Sequence, residues 1–196
     1  MKRLFDIVLA SLGLLLVGLP MLAIALVIRL TDRGPVFYRQ ERVGRGGRPF
    51  RIFKFRTMVV GADRMGAHIT VGRDPRITRI GHLLRKTKID ELPQLLNVLG
   101  GTMSFVGPRP EVPKYVAMYD ERQRRVLEAR PGITDVASIK YRDEQEILAE
   151  AGDDWERVYV EQVMPDKLRL NLEYLQNRSL WTDLKVILKT VLKMVS

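Results

Sequence analysis

Cysteine is absent from the 196 residues. Disulfides, thiolate metal sites and a cysteine nucleophile are therefore excluded, and the chain suits a reducing compartment. Histidine occurs twice, at His68 and His82, with no metal-ligand spacing around either, so both are read as structural. Aromatic residues are sparse at 7% and scattered. No base-stacking platform emerges from them, which argues against nucleic acid as the partner. Acidic residues are in deficit: 23 Asp and Glu face 33 Lys and Arg, a formal net charge of +10. That excess points to an anionic partner, such as anionic lipid or a phosphorylated substrate. There is no internal repeat and no low-complexity tract. With 46% apolar and 29% charged residues, the length fits one folded domain with a real core.

What is present begins with an apolar run. Ile7 to Ile28 contains 22 residues without a charge, about the ~20 that a helix needs to cross a bilayer core. It exceeds the apolar region of a secretory signal, and no small-residue cleavage site follows. Two features speak against a simple span. Lys2 and Arg3 precede the run while Arg29, Arg33, Arg39, Arg42, Arg45 and Arg48 follow it. Both flanks thus carry the charge that favours the cytoplasmic side. Pro20 lies mid-run, after Gly13 and Gly18, and proline removes a helical hydrogen bond and kinks the helix. A helix broken there can enter one leaflet and return. On residues alone, the re-entrant and spanning readings stand level.

The middle of the chain is basic. Val36–Arg39 and Phe50–Phe55 are predicted as two strands joined through Gly44, Gly46 and Gly47, with Arg51, Lys54 and Arg56 on one polar face. Asp74-Pro75 marks a turn. A helix is expected over Ile80–Lys86, and another through Leu92–Leu99 to a Gly100-Gly101 cap, with Pro93 in its first turn. Asp90-Glu91 then falls at or just before a helix N-terminus. Acids there commonly just cap the helix. Here Arg85, Lys86 and Lys88 surround them, which should keep both ionised and should attract phosphate. Such a carboxylate can attack phosphorus or ligate Mg²⁺. Pro108 and Pro110 bracket Arg109 in a rigid turn that aims one guanidinium, suited to bidentate phosphate recognition. The residues alone reach phosphate chemistry at a membrane surface.

Several segments together resemble a known family. These are the opening KRLFDIVLA, GPVFYRQERVGRGGRPFRIFKFRTM, TRIGHLLRKTKIDELPQLLNVLGGTMSFVGPRPE, RPGIT at 130–134 and LNLEYLQNRSLWTDLKVILKTV. With them the chain resembles the bacterial sugar transferases of the small monotopic phosphoglycosyl transferase type. The resemblance implies transfer of a sugar-1-phosphate from a UDP-sugar to polyprenol (undecaprenyl) phosphate, with release of UMP, at the start of surface-glycan assembly. It implies a ping-pong path in which Asp90 is the nucleophile and a partial Mg²⁺ ligand, with Glu91 as its partner. Arg85, Lys54, Arg56 and Arg109 are the expected phosphate and nucleotide contacts. It also tips the N-terminal segment towards re-entry with the break at Pro20, and places the enzyme on the cytoplasmic face of the inner membrane. One departure stands out. Many members follow PGIT with Gly-Trp-Ala-Gln, whereas this chain has Asp135, Val136, Ala137 and Ser138, read as a branch or substrate difference.

The C-terminal third is expected to be helical, with an acidic stretch over Glu144–Glu161 broken at Gly152-Asp153-Asp154. A last helix over Leu180–Val195 has Leu180, Leu184, Ile187, Leu188, Val191 and Val195 on one side and Lys185, Lys189 and Lys193 on the other. That apolar side fits either a membrane interface or the core. The predicted fold is α+β and mostly helical. It is one compact domain with a short β-hairpin (residues 34–196) behind a helix-break-helix membrane segment (residues 1–33). The expected partners are the bilayer, polyprenol phosphate and a UDP-sugar, with a homodimer as a further option. The non-enzymatic alternative is a membrane-anchored basic scaffold, which leaves the acid pair and the arginine turn without a purpose. Nothing in the residues selects glucose, galactose or an N-acetylated sugar.

Overall fold

The structure is a computed structural model that describes residues 1–62, 65 and 74–195. His68 lies outside them. The longest element, α1, runs from Lys2 to Asp32 with Pro20 inside it. The two separate helices expected on either side of Pro20 are thus one continuous helix. The physical reason is that proline removes a single intrahelical donor while the turns on both sides retain theirs.

A hairpin follows, β1 (Phe37–Val43) and β2 (Pro49–Phe55), antiparallel with Tyr38 opposite Lys54 and Glu41 opposite Arg51. The next elements are α2 (Arg79–Lys86), a single 3₁₀ turn at Ile89–Glu91, and α3 (Gln94–Leu99). A second sheet escapes sequence reading: β3 (Ser104–Val106) pairs in parallel with β4 (Gly132–Thr134). Two glycines permit it, since a Cβ on Gly132 would sit 2.2 Å from the Gly107 nitrogen and one on Gly107 would sit 2.4 Å from the Arg130 oxygen. Short helices α4 (Pro113–Val116) and α5 (Glu121–Arg124) lie between these strands. After β4 come α6 (Val136–Lys140), α7 (Glu144–Glu150), α8 (Trp155–Val158), α9 (Met164–Gln176) and α10 (Leu180–Val195). The expected break at Gly152–Asp154 is a 3₁₀ turn.

The long helix is a wall of the domain along its whole length. Ala10, Leu14 and Val17 pack with Ile52, Leu95, Val98 and Met103, while Met21 and Ile28 pack with Phe55 and Leu84. Its N-terminal end is bonded in by polar contacts. Lys2 reaches Asp183 at 2.6 Å, and Arg3 donates to the carbonyls of Val98 and Leu99 at 2.5 and 2.8 Å. Buried Asp6 accepts from the Ser104 hydroxyl and the Phe105 N–H. At the other end Arg29 donates to the Gly34 carbonyl. Little of its apolar stretch is buried. Leu12, Leu15, Leu16, Leu19, Leu22 and Leu26 are exposed on the outer face, so this is not the enclosed helix of a soluble core.

The last helix also departs from the simplest packing. Val186 and Asp183 are buried, and Ile187 packs beside Val186, whereas Leu184, Leu188 and Val191 are exposed. Most of the leucine stripe read from the sequence therefore faces outward.

Candidate active site

The acid pair owes its geometry to the turn that carries it. Thr78 caps α2 by accepting from the Gly81 N–H at 3.0 Å. Gly81 lies so close to the exit of β2 that an added Cβ would stand 2.1 Å from the Thr57 oxygen, so only glycine fits. Lys88 then adopts a left-handed conformation, φ 56, and redirects the chain into the 3₁₀ turn. With three residues per turn, consecutive side chains diverge by about 120°. Asp90 and Glu91 are neighbours in sequence with separate surroundings.

Glu91 is fully engaged. One carboxylate oxygen accepts from Lys54 Nζ at 2.7 Å and from Arg109 at 2.5 Å, and the other accepts from Arg109 at 3.3 Å. Burial opposes its ionisation, but the Arg109 and Lys54 charges outweigh that and hold the carboxyl well below the usual range. Asp90 is its opposite. It is 7% exposed, and its buried Oδ1 has no hydrogen-bond partner. Burial pushes its pKa up, the Glu91 charge adds to this, and Lys54, Arg85 and Lys88 only partly compensate. The expectation that the cations would depress both carboxyls holds for Glu91 and not for Asp90, because desolvation is the larger effect there.

The cations separate as clearly. Arg85 donates to the Thr57 hydroxyl at 2.9 Å and feels the Asp90 charge, although burial lowers its pKa. Burial likewise lowers the Lys54 pKa against the pull of Glu91. Arg109 is held by Glu91, whose charge raises its pKa. The turn that presents it is braced from two sides: the Gly132 N–H donates to the Pro108 carbonyl at 3.0 Å, and Arg42 donates to the Pro110 carbonyl at 3.3 Å. Arg51, Lys54 and Arg56 do not share one face as expected. Alternation puts Arg51 opposite Lys54, and Arg51 is exposed while Lys54 turns towards Glu91. Arg56 is buried beyond the strand end, against Gly34, where an added Cβ would meet its guanidinium at 2.0 Å.

Two contributors were not legible beforehand. Thr57 holds Arg85, and Arg42 holds the arginine turn. Asp135, the departure noted above, is buried and caps α6 through the N–H groups of Ala137 and Ser138.

Among the described residues, no group of three His, Cys, Asp or Glu could enclose a metal. His82 is exposed on α2. Mg²⁺ asks for less than such a cage: one or two carboxylates, with water and substrate phosphate supplying the rest. The orphaned Oδ1 of Asp90 fits that role, whereas Glu91 has both oxygens committed to cations.

A family model described as "Bacterial sugar transferase" matches residues 1–196. The chain belongs to that family. Its relatives include the UDP-glucose:undecaprenyl-phosphate glucose-1-phosphate transferase of Escherichia coli K12, 38% identical over 98% of this chain and 40% of that protein. The protein of the same name in Caulobacter vibrioides is 39% identical over 97% of this chain and 68% of that protein. The UDP-N-acetylgalactosamine-undecaprenyl-phosphate N-acetylgalactosaminephosphotransferase of Aeromonas hydrophila is 38% identical over 97% of this chain and 42% of that protein. The chain thus spans less than half the length of two of these three family members. Near-equal identity to proteins named for two different sugars leaves the sugar unassigned by similarity.

Proposed function

We propose that the chain transfers a sugar-1-phosphate from a UDP-sugar to polyprenol phosphate, in two displacements through Asp90. The observation that carries this reading is the contrast within the acid pair: a desolvated, unpartnered carboxylate beside one saturated with cations. A carboxylate pushed up in pKa is the better nucleophile, and burial has already removed its competing water.

In the first displacement an Asp90 oxygen attacks the sugar-bearing β-phosphorus. The bond from that phosphorus to the bridging oxygen breaks, UMP leaves with the electron pair, and an acyl phosphate remains on Asp90. In the second, a phosphate oxygen of polyprenol phosphate attacks the same phosphorus, and the Asp90 carboxylate departs. No proton needs to be removed, because a phosphate monoester is largely ionised near neutral pH. Arg85, beside Thr57, would contact the phosphates, and Arg109 would do so from its braced turn. Lys54 is tied to Glu91 and acts by fixing that carboxylate. Arg56, the remaining expected contact, is buried against Gly34. Mg²⁺ held by Asp90 would neutralise charge on the diphosphate.

The proposed setting is the cytoplasmic face of the inner membrane, with α1 kept to that side along its length instead of crossing. One end of α1 bonds to Asp183 and α3, and its other half packs Met21 and Ile28 on Phe55 and Leu84 of the same domain, which supports a one-sided arrangement over a crossing. A single cysteine introduced as Lys2→Cys should stay unlabelled by an impermeant reagent applied to intact spheroplasts. Labelling from outside would exclude the one-sided arrangement.

The activity itself is tested by UMP release from a set of UDP-sugars, with purified protein and a short polyprenol phosphate. One donor should give release that depends on the acceptor. No release from any donor would return the chain to the scaffold reading.

A further inference from the structure

A cavity of about 330 Å³ lies apart from the Asp90–Glu91 centre, where the first turns of α1 and α10 meet β3 and the residues before β4. It shares no residue with the acid pair, Lys54, Arg85 or Arg109. Five cations line it against three carboxylates, Asp6, Glu128 and Asp183. Two of the three are already satisfied. Asp6 accepts from Ser104 and Phe105, and Asp183 accepts from Lys2 and the Tyr174 hydroxyl. Lys2 is thereby also accounted for.

The four arginines are not. Arg3 donates to the carbonyls of Val98 and Leu99, Arg45 to that of Glu128 and Arg130 to that of Gly101, all neutral acceptors. Arg178 is exposed and makes no hydrogen bond or ion pair among the described residues. Each guanidinium has five N–H donors, so the wall keeps both unneutralised charge and unused donors. Planar guanidinium donors favour phosphate oxygens. The opening is apolar on the α10 side: Leu180 lines it and is exposed, and its neighbours Trp181 and Leu184 on the same helix are exposed as well. An exposed tryptophan beside leucines is a pattern of the membrane interface.

We propose that this cavity binds the phosphodiester headgroup of an anionic membrane phospholipid, its acyl chains lying along the exposed apolar side of α10. The proposal rests on the reading above that α1 lies in the membrane. A soluble phosphate would meet the same arginines but would have no use for the apolar rim, which decides for the lipid.

The test uses the full chain in nanodiscs of phosphatidylcholine containing a minor share of phosphatidylglycerol, with native mass spectrometry of the lipid retained after ejection. One phosphatidylglycerol per chain should be kept in preference to phosphatidylcholine. Arg178→Glu should weaken that retention about tenfold, the size expected for loss of one charged hydrogen bond. Arg122→Glu makes the same charge change on exposed α5, outside the cavity, and should leave retention unchanged. Equal loss in both variants, or no preference for phosphatidylglycerol, would overturn the site. Displacement of the lipid by excess inorganic phosphate or UMP would assign the cavity to a soluble anion instead. UMP release by Arg178→Glu in detergent, with polyprenol phosphate supplied, should match the unaltered chain. Absence of release in the unaltered chain would sink the transferase reading while leaving the retention result to judge the lipid site. Failure of the unaltered chain to enter nanodiscs would sink the membrane reading and this site with it.

Discussion

Asp90→Asn is expected to abolish UMP release and, at the same time, to make the protein harder to unfold. The amide keeps the shape of the side chain but cannot form the acyl phosphate, so the rate should fall by about 10⁴-fold or more, as for loss of other covalent nucleophiles. The stability gain follows from proton linkage. Burial, then the neighbouring Glu91 charge, raises the Asp90 pKa in the folded chain. The folded state therefore holds that proton more tightly than the unfolded state. The stabilising contribution is complete below the ordinary carboxylate pKa of about 4 and is lost as pH rises through the raised value. Once the pH passes that raised value, the unaltered chain carries an ionised, unpartnered carboxylate that the variant lacks. Removing it should return about 1 kcal/mol, or roughly 2–4 °C in Tm for a chain of this size. Thermal unfolding at neutral pH checks the sign, and an unchanged or lower Tm would refute the desolvation argument. UMP release retained in the variant would refute the covalent role. In the unaltered chain, kcat/KM should decline with falling pH earlier than an ordinary carboxylate would cause, because the free enzyme must ionise Asp90.

Glu91→Gln should do the reverse to stability. The carboxylate is 13% exposed and stands between Lys54 and Arg109. Replacing it leaves two partly buried cations around a neutral amide. Breaking a buried ion pair from one side costs about 3–5 kcal/mol. The low end applies because the Arg109 side chain is 34% exposed and solvent screens it. A loss of about 3 kcal/mol corresponds to roughly 6–12 °C in Tm. The pH dependence again has a definite sign. The folded pKa of Glu91 is depressed, so its stabilisation is present above the unfolded value of about 4.3 and fades as pH falls through the depressed value. The gap between variant and unaltered chain should therefore be widest near neutrality and narrow in acid. A gap that stays constant from neutral to acid pH would show that packing, not charge, accounts for the loss. Activity should fall as well, since Arg109 loses the partner that fixes it.

The two variants separate what could be read from the sequence and what could not. The acid pair, the arginine turn, α2, the hairpin and the last helix follow from local signals: period, glycine and proline placement, and charge. Those signals reach only a few residues along the chain. They could not show that Lys54, 37 positions before Glu91, would saturate one acid and leave its neighbour bare. They also failed for β3 and β4, because three-residue strands carry too little alternation to register, and their pairing depends on the close approach of Gly107 and Gly132. Lys2 and Arg3 look like membrane flanks from sequence, yet their partners are Asp183 and the end of α3, 181 and 95 to 96 positions away. A charge count gives the sign of a surface; only the fold decides which charges are already spent.

The packing of α1 has a consequence for how the protein can be handled. A detachable anchor could be cut away to leave a soluble enzyme. Here removal of residues 1–33 would strip a layer from the interior, laying bare Ile52, Phe55, Leu84, Leu95 and Val98 together. It would also take Asp6 from buried Ser104 and Lys2 from buried Asp183. The outward-facing helix and the rest of the chain form one packed unit, so a version shortened by residues 1–33 is a domain with one wall missing.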